Sequence, residues 1–179
     1  MKAIVVVDKK WGIGKDNNLL FKLPQDLARY KKMTWGKVCV MGAKTYDSLP
    51  KVALEGRTNF VLDVDGNFHE KATTVQSLDE FFQKIQQFNT DDVMLIGGAT
   101  IYKLLIGSCN VAYVTKVDAD GEATVFFPNL DQMEDWVLQE ETAPICDNGY
   151  TTRYCTYVKN SGGNYVFRPC KQPSKLSQL

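Results

Sequence analysis

Short apolar runs rich in β-branched residues recur along the chain and alternate with segments of helical periodicity. The runs lie at residues 3–7, 37–41, 59–62, 72–75, 93–96 and 111–115. They are apolar almost throughout, which is typical of strands that are buried on both faces of a sheet. Because strands and helices alternate, we predict an α/β fold with a mostly parallel central sheet flanked by helices.

Three segments between these runs have the apolar spacing of helices. They carry Asp26, Leu27, Tyr30 and Met33 in the first, Leu78, Phe81, Phe82 and Ile85 in the second, and Ile101, Leu104 and Leu105 in the third. Ser77 precedes the second segment and Glu80 follows three residues later, the spacing of a capping box. This pair predicts where the second helix begins.

After about residue 132 the predicted strands follow one another without helices. Trp136–Glu141 and residues 151–159 are the next predicted strands, and the short connection favours antiparallel pairing. Residues 160–163 are typical of a turn, and residues 164–168 would then form an edge strand of a hairpin. The polar residues 169–179 predict a frayed tail.

Length and composition limit the functional classes. The chain of 179 residues suits one domain, which we place at residues 1–160, with a C-terminal extension at 161–179. Lysine and arginine together number 21, as do aspartate and glutamate, so no net field attracts nucleic acid or an anionic membrane.

The cysteines, the histidine and the N-terminus narrow the classes further. Five irregularly spaced cysteines without a C-x-x-C pair favour reduced thiols over disulfides or zinc, and the single His69 disfavours a histidine-based metal site or triad. The apolar N-terminal run is too short for a signal peptide or a membrane span, so we expect a soluble cytoplasmic protein.

Two predicted strands lead through glycine into a helix. Gly42 joins the first to residues 43–45, and Gly97-Gly98 joins the second to residues 99–102. Glycine lets the backbone approach a ligand, and a helix N-terminus presents free N–H groups to an anion. Each junction alone is more often a tight turn, but two in one sheet would grip a pyrophosphate. Neither has the three glycines of a standard Rossmann site.

The segment 23–27 places Asp26 in the first turn of the first helix, since Pro24 suits a helix start. Asp26 shares one helical face with Leu27 and Tyr30. A carboxylate that faces a core is costly unless something binds it. Two interpretations follow: a binding or catalytic acid, or an acid favoured only by the helix dipole.

A long loop at residues 9–23 and an isolated arginine offer further candidates. The loop carries apolar residues, which favours a loop that closes over a ligand. Arg57 follows Gly56 and would either clamp a carboxylate in a bidentate fork or lie solvated at the surface.

These motifs, taken in order, resemble those of the bacterial and phage dihydrofolate reductases, and the similarity spans residues 3–159. Its carriers are residues 12–19, 23–27, 40–46, 56–57 and 96–99, then Tyr102, Thr115 and residues 126–128. Each motif alone is weak, whereas the full set at the family's spacing is very specific.

The resemblance implies an NADPH-dependent oxidoreductase of one-carbon metabolism. It would reduce 7,8-dihydrofolate to tetrahydrofolate by hydride transfer from nicotinamide C4 to pterin C6, with protonation at N5. Asp26 would bind the pterin's N3 and 2-amino group, and Thr115 would hydrogen-bond Asp26. The resemblance also implies a cytoplasmic monomer that binds antifolates such as methotrexate or trimethoprim and is independent of nucleic acid and membrane.

The remaining site residues are likewise carried over from the resemblance. The pterin and aminobenzoyl pocket would be formed by Ile4, Val5, Leu27, Tyr30, Leu49 and Ile96, with Arg57 on the glutamate carboxylate. The nicotinamide would lie against Val6, Ile13 and Leu19. The rest of the cofactor would contact Gly42, Ala43, Lys44, Thr45, Leu62, Asp63, Gly97, Gly98, Ala99, Thr100, Ile101 and Tyr102.

The chain departs from the family pattern at several of these positions. Phe21 replaces a tryptophan whose indole N–H orders a water beside the acid, and phenylalanine has no such donor. Ala43 and Thr100 stand where arginines often bind the cofactor's 2′-phosphate. Asp63 would repel that phosphate and accept from a ribose 2′-hydroxyl, so NADH is the alternative donor. Ala123 replaces an aspartate that holds the active-site loop closed.

Two alternative functions stand beside the reductase. A pterin- and dinucleotide-binding protein with the same fold and little turnover would account for Phe21, Ala123 and the C-terminal extension. A related pteridine or pyrimidine reductase is the other, although Arg57 would be wasted on a substrate without a glutamate tail.

Overall fold

The computed structural model describes residues 1–160, and a nine-stranded sheet forms its centre. The described residues form eleven strands, of which β2 and β8 make a separate two-stranded sheet. They are β1 (Lys2–Val7), β2 (Gly12–Gly14), β3 (Val38–Gly42), β4 (Thr58–Leu62), β5 (Thr73–Val75), β6 (Val93–Gly97), β7 (Val111–Val117), β8 (Val125–Phe126), β9 (Trp136–Glu141), β10 (Ile145–Asp147) and β11 (Tyr150–Lys159). The helices are α1 (Pro24–Thr34), α2 (Ala43–Asp47), α3 (Leu78–Ile85) and α4 (Ala99–Leu105), with 3₁₀ turns at Thr90–Asp92, Ile106–Ser108 and Leu130–Gln132. The predicted edge strand at 164–168 and the tail at 169–179 lie outside the described residues.

The sheet has the mixed architecture that the sequence predicts. Its strand order is β10-β11-β7-β1-β6-β3-β4-β5, and β9 pairs with β11 off this path. All pairs from β7 to β5 are parallel, whereas β11 runs antiparallel to β7, β9 and β10. The expectation of a mostly parallel, helix-flanked sheet with antiparallel C-terminal strands is therefore confirmed.

The apolar runs form the buried centre of this sheet. Val38, Cys39, Val40 and Met41 of β3 are all at most 3% exposed, as expected for a strand covered on both faces. The helix α3 packs Phe81 against Phe60 of β4, whereas two apolar residues at helical spacing, one on α3 and one on α4, are exposed. Phe82 is 37% exposed and Leu104 of α4 is 52% exposed, because both lie off the buried stripes of their helices.

The start of α3 confirms the predicted cap with one difference. Ser77 Oγ accepts a hydrogen bond from the backbone N–H of Glu80 at 3.2 Å. The carboxylate of Glu80 accepts from the backbone N–H of Gln76 at 2.8 Å, one residue before the position that a reciprocal capping box uses.

Two neighbouring strands, β3 and β6, place both glycine junctions at one edge of the sheet. They run parallel, with Met41 opposite Gly97, and lead directly into α2 and α4. The carboxyl ends of parallel strands are where open α/β sheets bind ligands. Within residues 1–160, no helix is long and apolar enough to cross a membrane.

Short strands that the sequence pattern does not reveal complete the architecture. β2 contains two glycines and pairs with β8 through Gly12–Phe126 and Gly14–Val125. β10 has only three residues and pairs antiparallel with β11. Such strands are defined by their partners, since three residues are too few to show a period.

Candidate active site

The carboxylate of Asp26 is buried in the first turn of α1, with 8% of the residue exposed. The hydroxyl of Thr115 on β7 donates a hydrogen bond of 2.5 Å to its Oδ1. Burial is the largest influence on this carboxyl and raises its pKa above the ordinary value, while the Thr115 hydrogen bond and the Arg29 charge act to lower it. A buried acid with a shifted pKa and a polar partner is suited to binding or moving a proton.

The backbone of this helix start is held by a residue from a distant segment. Leu23 at the N-cap position provides no side-chain acceptor. Asp147 on β10 fills that role, since its carboxylate accepts from the backbone N–H of Gln25 at 3.2 Å and of Asp26 at 2.9 Å. Sequence reasoning missed Asp147. The Asp147-Asn148-Gly149 turn is visible in the sequence, but nothing in the sequence shows which helix it meets.

The other predicted members of the Asp26 face differ in burial. Tyr30 is half-buried, and burial raises the pKa of its hydroxyl above the ordinary value. Leu27 is 62% exposed, so the expectation that it faces a core beside Asp26 is wrong. The buried residues of α1 are Asp26 and Thr34. Because successive residues of an α-helix are turned by about 100°, Leu27 points away from the buried side on which Asp26 lies.

Arg57 is fixed at the C-terminal end of α1 by several contacts. Its Nη1 donates to Thr34 Oγ1 at 3.1 Å, and its Nε donates to the carbonyl of Glu55 at 3.0 Å. The guanidinium also lies 5.7 Å from the ring centroid of Trp35. These contacts favour a positioned cation over the alternative of a solvated surface arginine.

The glycine junctions pack closely against each other's helices. A Cβ at Gly42 would lie 3.2 Å from Cγ1 of Ile101 on α4, and one at Gly98 would lie 3.2 Å from Oγ1 of Thr45 on α2. Gly97 has a φ of +124°, a region that favours glycine. The structure thus brings together the two predicted halves of the cofactor site.

The remaining predicted contact residues fall into two settings. Ala43, Leu49 and Ile96 pack against the small cluster of Cys39, Met41 and Val61 at this edge, and Leu62 packs against the main core. Val5 is buried, Val6, Gly98 and Ala99 are half-buried, and Lys44 and Thr100 are exposed. The exposed side chains of Lys44 and Thr100 are thus available to a ligand, while the packed residues belong to the apolar cluster at this edge.

The side chain of Tyr102 on α4 contacts the main chain of Ile4 on β1. The buried Tyr102 hydroxyl donates to the carbonyl oxygen of Ile4 at 2.6 Å. Burial raises the pKa of Tyr102 well above its ordinary value, which keeps it a hydrogen-bond donor. A carbonyl oxygen has a second lone pair, so Ile4 remains able to accept from a ligand.

The active-site loop at residues 9–23 is tied to the loop between β7 and β8. β2 pairs with β8, and the backbone N–H of Thr124 donates to the carbonyl of Gly14 at 2.9 Å. Lys15 and Glu122 form an exposed ion pair at 3.2 Å. A Cβ at Gly12 would lie only 2.2 Å from that of Ala123, so the two loops meet in close contact. The loop–loop contact that Ala123 puts in question is thus made by the backbone of Gly14 and Thr124 and by the Lys15–Glu122 ion pair.

Asp8, at the end of β1, anchors both loops, and sequence reasoning missed it. The residue is 3% exposed. Its Oδ1 accepts from the backbone N–H groups of Lys10 at 2.8 Å and Gly12 at 2.7 Å, and its Oδ2 accepts from that of Gly121 at 3.0 Å. One buried carboxylate thus joins the two loops, in addition to the direct contacts between them.

The apolar part of the active-site loop is only partly packed. Phe21 meets Tyr150 edge to face with ring centroids 4.9 Å apart. Ile13 packs against the main core, whereas Leu19 is 84% exposed. Leu19 is therefore the predicted nicotinamide neighbour with the most surface left for a ligand to cover.

Asp63 is engaged by its own loop. Its Oδ2 accepts from Asn67 and lies 3.0 Å from Nε2 of the buried His69, and its Oδ1 accepts from the backbone N–H of Asp65 at 3.0 Å. The hydrogen bond from Asn67, followed by that from His69, lowers the pKa of Asp63. The carboxylate that the sequence predicts to meet a ribose is thus already engaged by three partners of its own loop.

The comparisons with known proteins agree on one family. Residues 1–159 match the family model of dihydrofolate reductase. The chain is 33% identical over 144 residues to a dihydrofolate reductase of Haemophilus influenzae, covering 79% of this chain and 88% of that protein. It is 36% identical over 118 residues to one of Mycoplasma genitalium, covering 63% and 73%. A solved dihydrofolate reductase from Enterococcus faecalis, complexed with NADP(H) and RAB-propyl, superimposes with a TM-score of 0.79 at 29% identity, covering 89% of this chain and 95% of that one.

Proposed function

Because this chain belongs to the dihydrofolate reductase family, we propose that it reduces 7,8-dihydrofolate to tetrahydrofolate with NADPH as the hydride donor. The observation that carries the proposal is the buried Asp26–Thr115 pair, whose hydrogen bond measures 2.5 Å. A purely structural descendant would have no need to keep Asp26, Thr115, Arg57 and both glycine junctions together, and the family match covers residues 1–159. The alternative of a pterin-binding protein with little turnover is therefore not favoured.

Asp26 is the residue that we assign to the pterin. Its carboxylate would accept from N3 and the 2-amino group, and its charge would favour the protonated form of N5. Thr115 would hold the carboxylate in place from β7. Protonation assisted in this way contributes about 10²–10⁴-fold to a rate. Phe21 has no donor for a water beside the acid, so any such water would be held by other groups.

Arg57 is assigned to the glutamate tail of the substrate. Its contacts with Thr34 and the Glu55 carbonyl fix the guanidinium before any ligand arrives. A preorganised fork binds a carboxylate with less entropic cost than a free side chain. Tyr30, Leu49 and Ile96 would line the pocket between the two polar ends, with Leu27 covering it from α1.

The glycine junctions fit the pyrophosphate of a dinucleotide. A Cβ at Gly42 or Gly98 would lie 3.2 Å from Ile101 or Thr45, closer than an ordinary contact, so a side chain at either glycine would crowd the cradle. Lys44, Thr45 and the backbone of residues 97–100 would hold the phosphates, and Ile13 and Leu19 would exclude water from the nicotinamide. When bound, NADPH supplies the hydride.

Asp63 supports a second, finer proposal about the cofactor. Its three hydrogen-bond partners hold the carboxylate within its own loop, which makes NADPH acceptable to a site without the family's arginines. Asp63→Ser is expected to lower the KM for NADPH several-fold at low salt, because a like charge near a phosphate is removed. The KM for NADH serves as the internal control and should stay constant.

We also propose the domain bounds, the cellular location, the oligomeric state and the inhibitors of this protein. We place one domain at residues 1–160, supported by the continuous sheet, and a separate extension at 161–179. We further propose a cytoplasmic monomer that binds antifolates at the dihydrofolate site. Size-exclusion chromatography with light scattering, and inhibition by methotrexate or trimethoprim, test these points.

The central experiment follows NADPH oxidation spectrophotometrically with and without dihydrofolate. We expect oxidation only with dihydrofolate, and a loss of about 10²–10⁴-fold in Asp26→Asn near neutral pH. Asp79→Asn removes an exposed carboxylate from the first turn of α3 and is the matched control, expected to match wild type. Tight pterin and dinucleotide binding without any hydride transfer would instead identify the binding protein.

A further inference from the structure

The turn between β10 and β11 is hydrogen-bonded to the segment that carries Asp26. Asp147 accepts from two backbone N–H groups of α1, and Gln25 Nε2 donates back to the carbonyl of Cys146 at 2.9 Å. Asn148 Nδ2 donates to the carbonyl of Lys22 at 2.9 Å. These bonds join residues more than a hundred positions apart in the sequence, so they are purely tertiary.

Asp147 is the central residue of this contact. It is 1% exposed, and its carboxylate lies at the N-terminus of a helix, where the free N–H groups and the helix dipole stabilise a negative charge. The helix has no other side-chain cap. The N–H of Asp26 itself is one of the two donors, so Asp147 fixes the backbone from which the acid projects.

We propose that Asp147 is a positioning residue for the reduction, which holds the backbone of Asp26 and, through its own charge, sets the pH range in which Asp26 works. The inference rests on the proposed role of Asp26. Asp147 does not touch the reacting atoms in this arrangement. It acts through the main chain and through the electrostatic field at the neighbouring carboxyl.

The charged and titratable groups around Asp26 come from three elements. Arg29 lies on α1, Asp147 on β10 and Tyr154 on β11, while the partner on β7 is the uncharged Thr115. The Arg29 guanidinium lies 4.2 Å from the ring centroid of Tyr154 and lowers the pKa of Asp26, whereas Asp147 raises it. Removing the Asp147 charge therefore favours ionisation of Asp26 at lower pH.

The test is the pH dependence of kcat/KM for dihydrofolate in Asp147→Asn, Asp147→Ser and Asp147→Glu. Because Asp26 is proposed to act as the ionised carboxylate, its titration gives the limb of kcat/KM that rises with pH. In the two neutral variants this limb should move to lower pH, and near neutral pH the rate should fall less than the ~10²–10⁴-fold expected on removing the acid itself. Asp147→Glu keeps the charge and should restore the wild-type limb.

Asp79→Asn removes one carboxylate from the first turn of α3 and controls for a change in total charge. Serine keeps a neutral capping oxygen, so Asp147→Ser provides a second neutral variant if the asparagine variant is poorly folded. A purely structural role would lower activity and melting temperature without moving the limb, and a wild-type limb in a folded neutral variant would overturn the proposal.

Asp26→Asn measured in parallel separates this inference from the proposed function. Full activity in Asp26→Asn would remove the assigned role of Asp26, whatever the Asp147 variants do. Loss of activity in Asp26→Asn, together with wild-type pH profiles in all Asp147 variants, would overturn only the role of Asp147.

Discussion

Thr115 on β7 donates a hydrogen bond of 2.5 Å to Asp26 on α1, and the two residues are 89 positions apart in the sequence. Both are buried, with 2% and 8% exposed. The contact opposes the effect of burial, which raises the pKa of Asp26, because the hydroxyl stabilises the ionised carboxylate. Burial therefore favours the neutral form of Asp26, whereas the hydrogen bond from Thr115 favours its ionised form.

Thr115→Val should move the pH profile in the direction opposite to the neutral Asp147 variants. Valine has a similar shape without the donor, so the pKa of Asp26 rises and the limb of kcat/KM that rises with pH moves to higher pH. The unpaired buried carboxylate should also lower the free energy of unfolding by about 1–3 kcal/mol at alkaline pH. Thr115→Ser keeps the hydroxyl and should resemble wild type. A Thr115→Val limb at the wild-type position would contradict the assignment.

Asp26→Asn should be more stable than wild type at neutral pH while it loses activity. The pKa of Asp26 is raised above the ordinary 3.8, so its stabilising contribution is complete below that value and is lost as pH rises through the folded-state pKa. Asparagine avoids that loss, and we expect a gain of roughly 0.5–2 kcal/mol. Urea unfolding at about pH 8 and about pH 4 measures it, and the gain should shrink at the lower pH. An equal gain at both values would show that ionisation of Asp26 is not its cause.

Asp8→Ala should release the active-site loop. The substitution leaves three backbone N–H groups without their acceptor, which we expect to cost about 2 kcal/mol locally. Amide hydrogen exchange at Gly12 and Gly121 should accelerate accordingly. Asp118→Ala is the matched control, because its carboxylate pairs with Lys9 at 3.3 Å in an exposed position and should contribute less than about 1 kcal/mol. Equal protection in the two variants would rule out the anchoring role.

Gly97→Ala should destabilise the second glycine junction. The residue has a φ of +124°, and an added Cβ would lie 3.4 Å from the ring of Tyr102. We expect a loss of about 1–3 kcal/mol and a higher KM for NADPH. Gly107→Ala offers the matched comparison, since nothing lies within 4 Å of its Cβ position and its φ is not positive. Thermal unfolding should show Gly107→Ala near wild type, and equal melting temperatures for both variants would refute the argument.

Much of the fold was determined by local pattern in the sequence. The apolar runs predict the parallel strands, because a strand buried on both faces must be apolar at consecutive positions. Ser77 and Glu80 mark the start of α3, and the glycines after β3 and β6 mark both junctions. The resemblance also identified Asp26, Thr115 and Arg57, since family motifs keep residue type and spacing together.

Only the tertiary structure decided which distant groups satisfy these residues. Asp147 caps α1, Asp8 ties two loops together, and β2 is a strand only because β8 pairs with it. Leu27 has the spacing of a core residue and is nevertheless exposed. The physical reason is the same in each case: periodicity reports which face of an element is apolar, whereas a hydrogen-bond partner or a covering segment far along the chain leaves no local trace in the sequence.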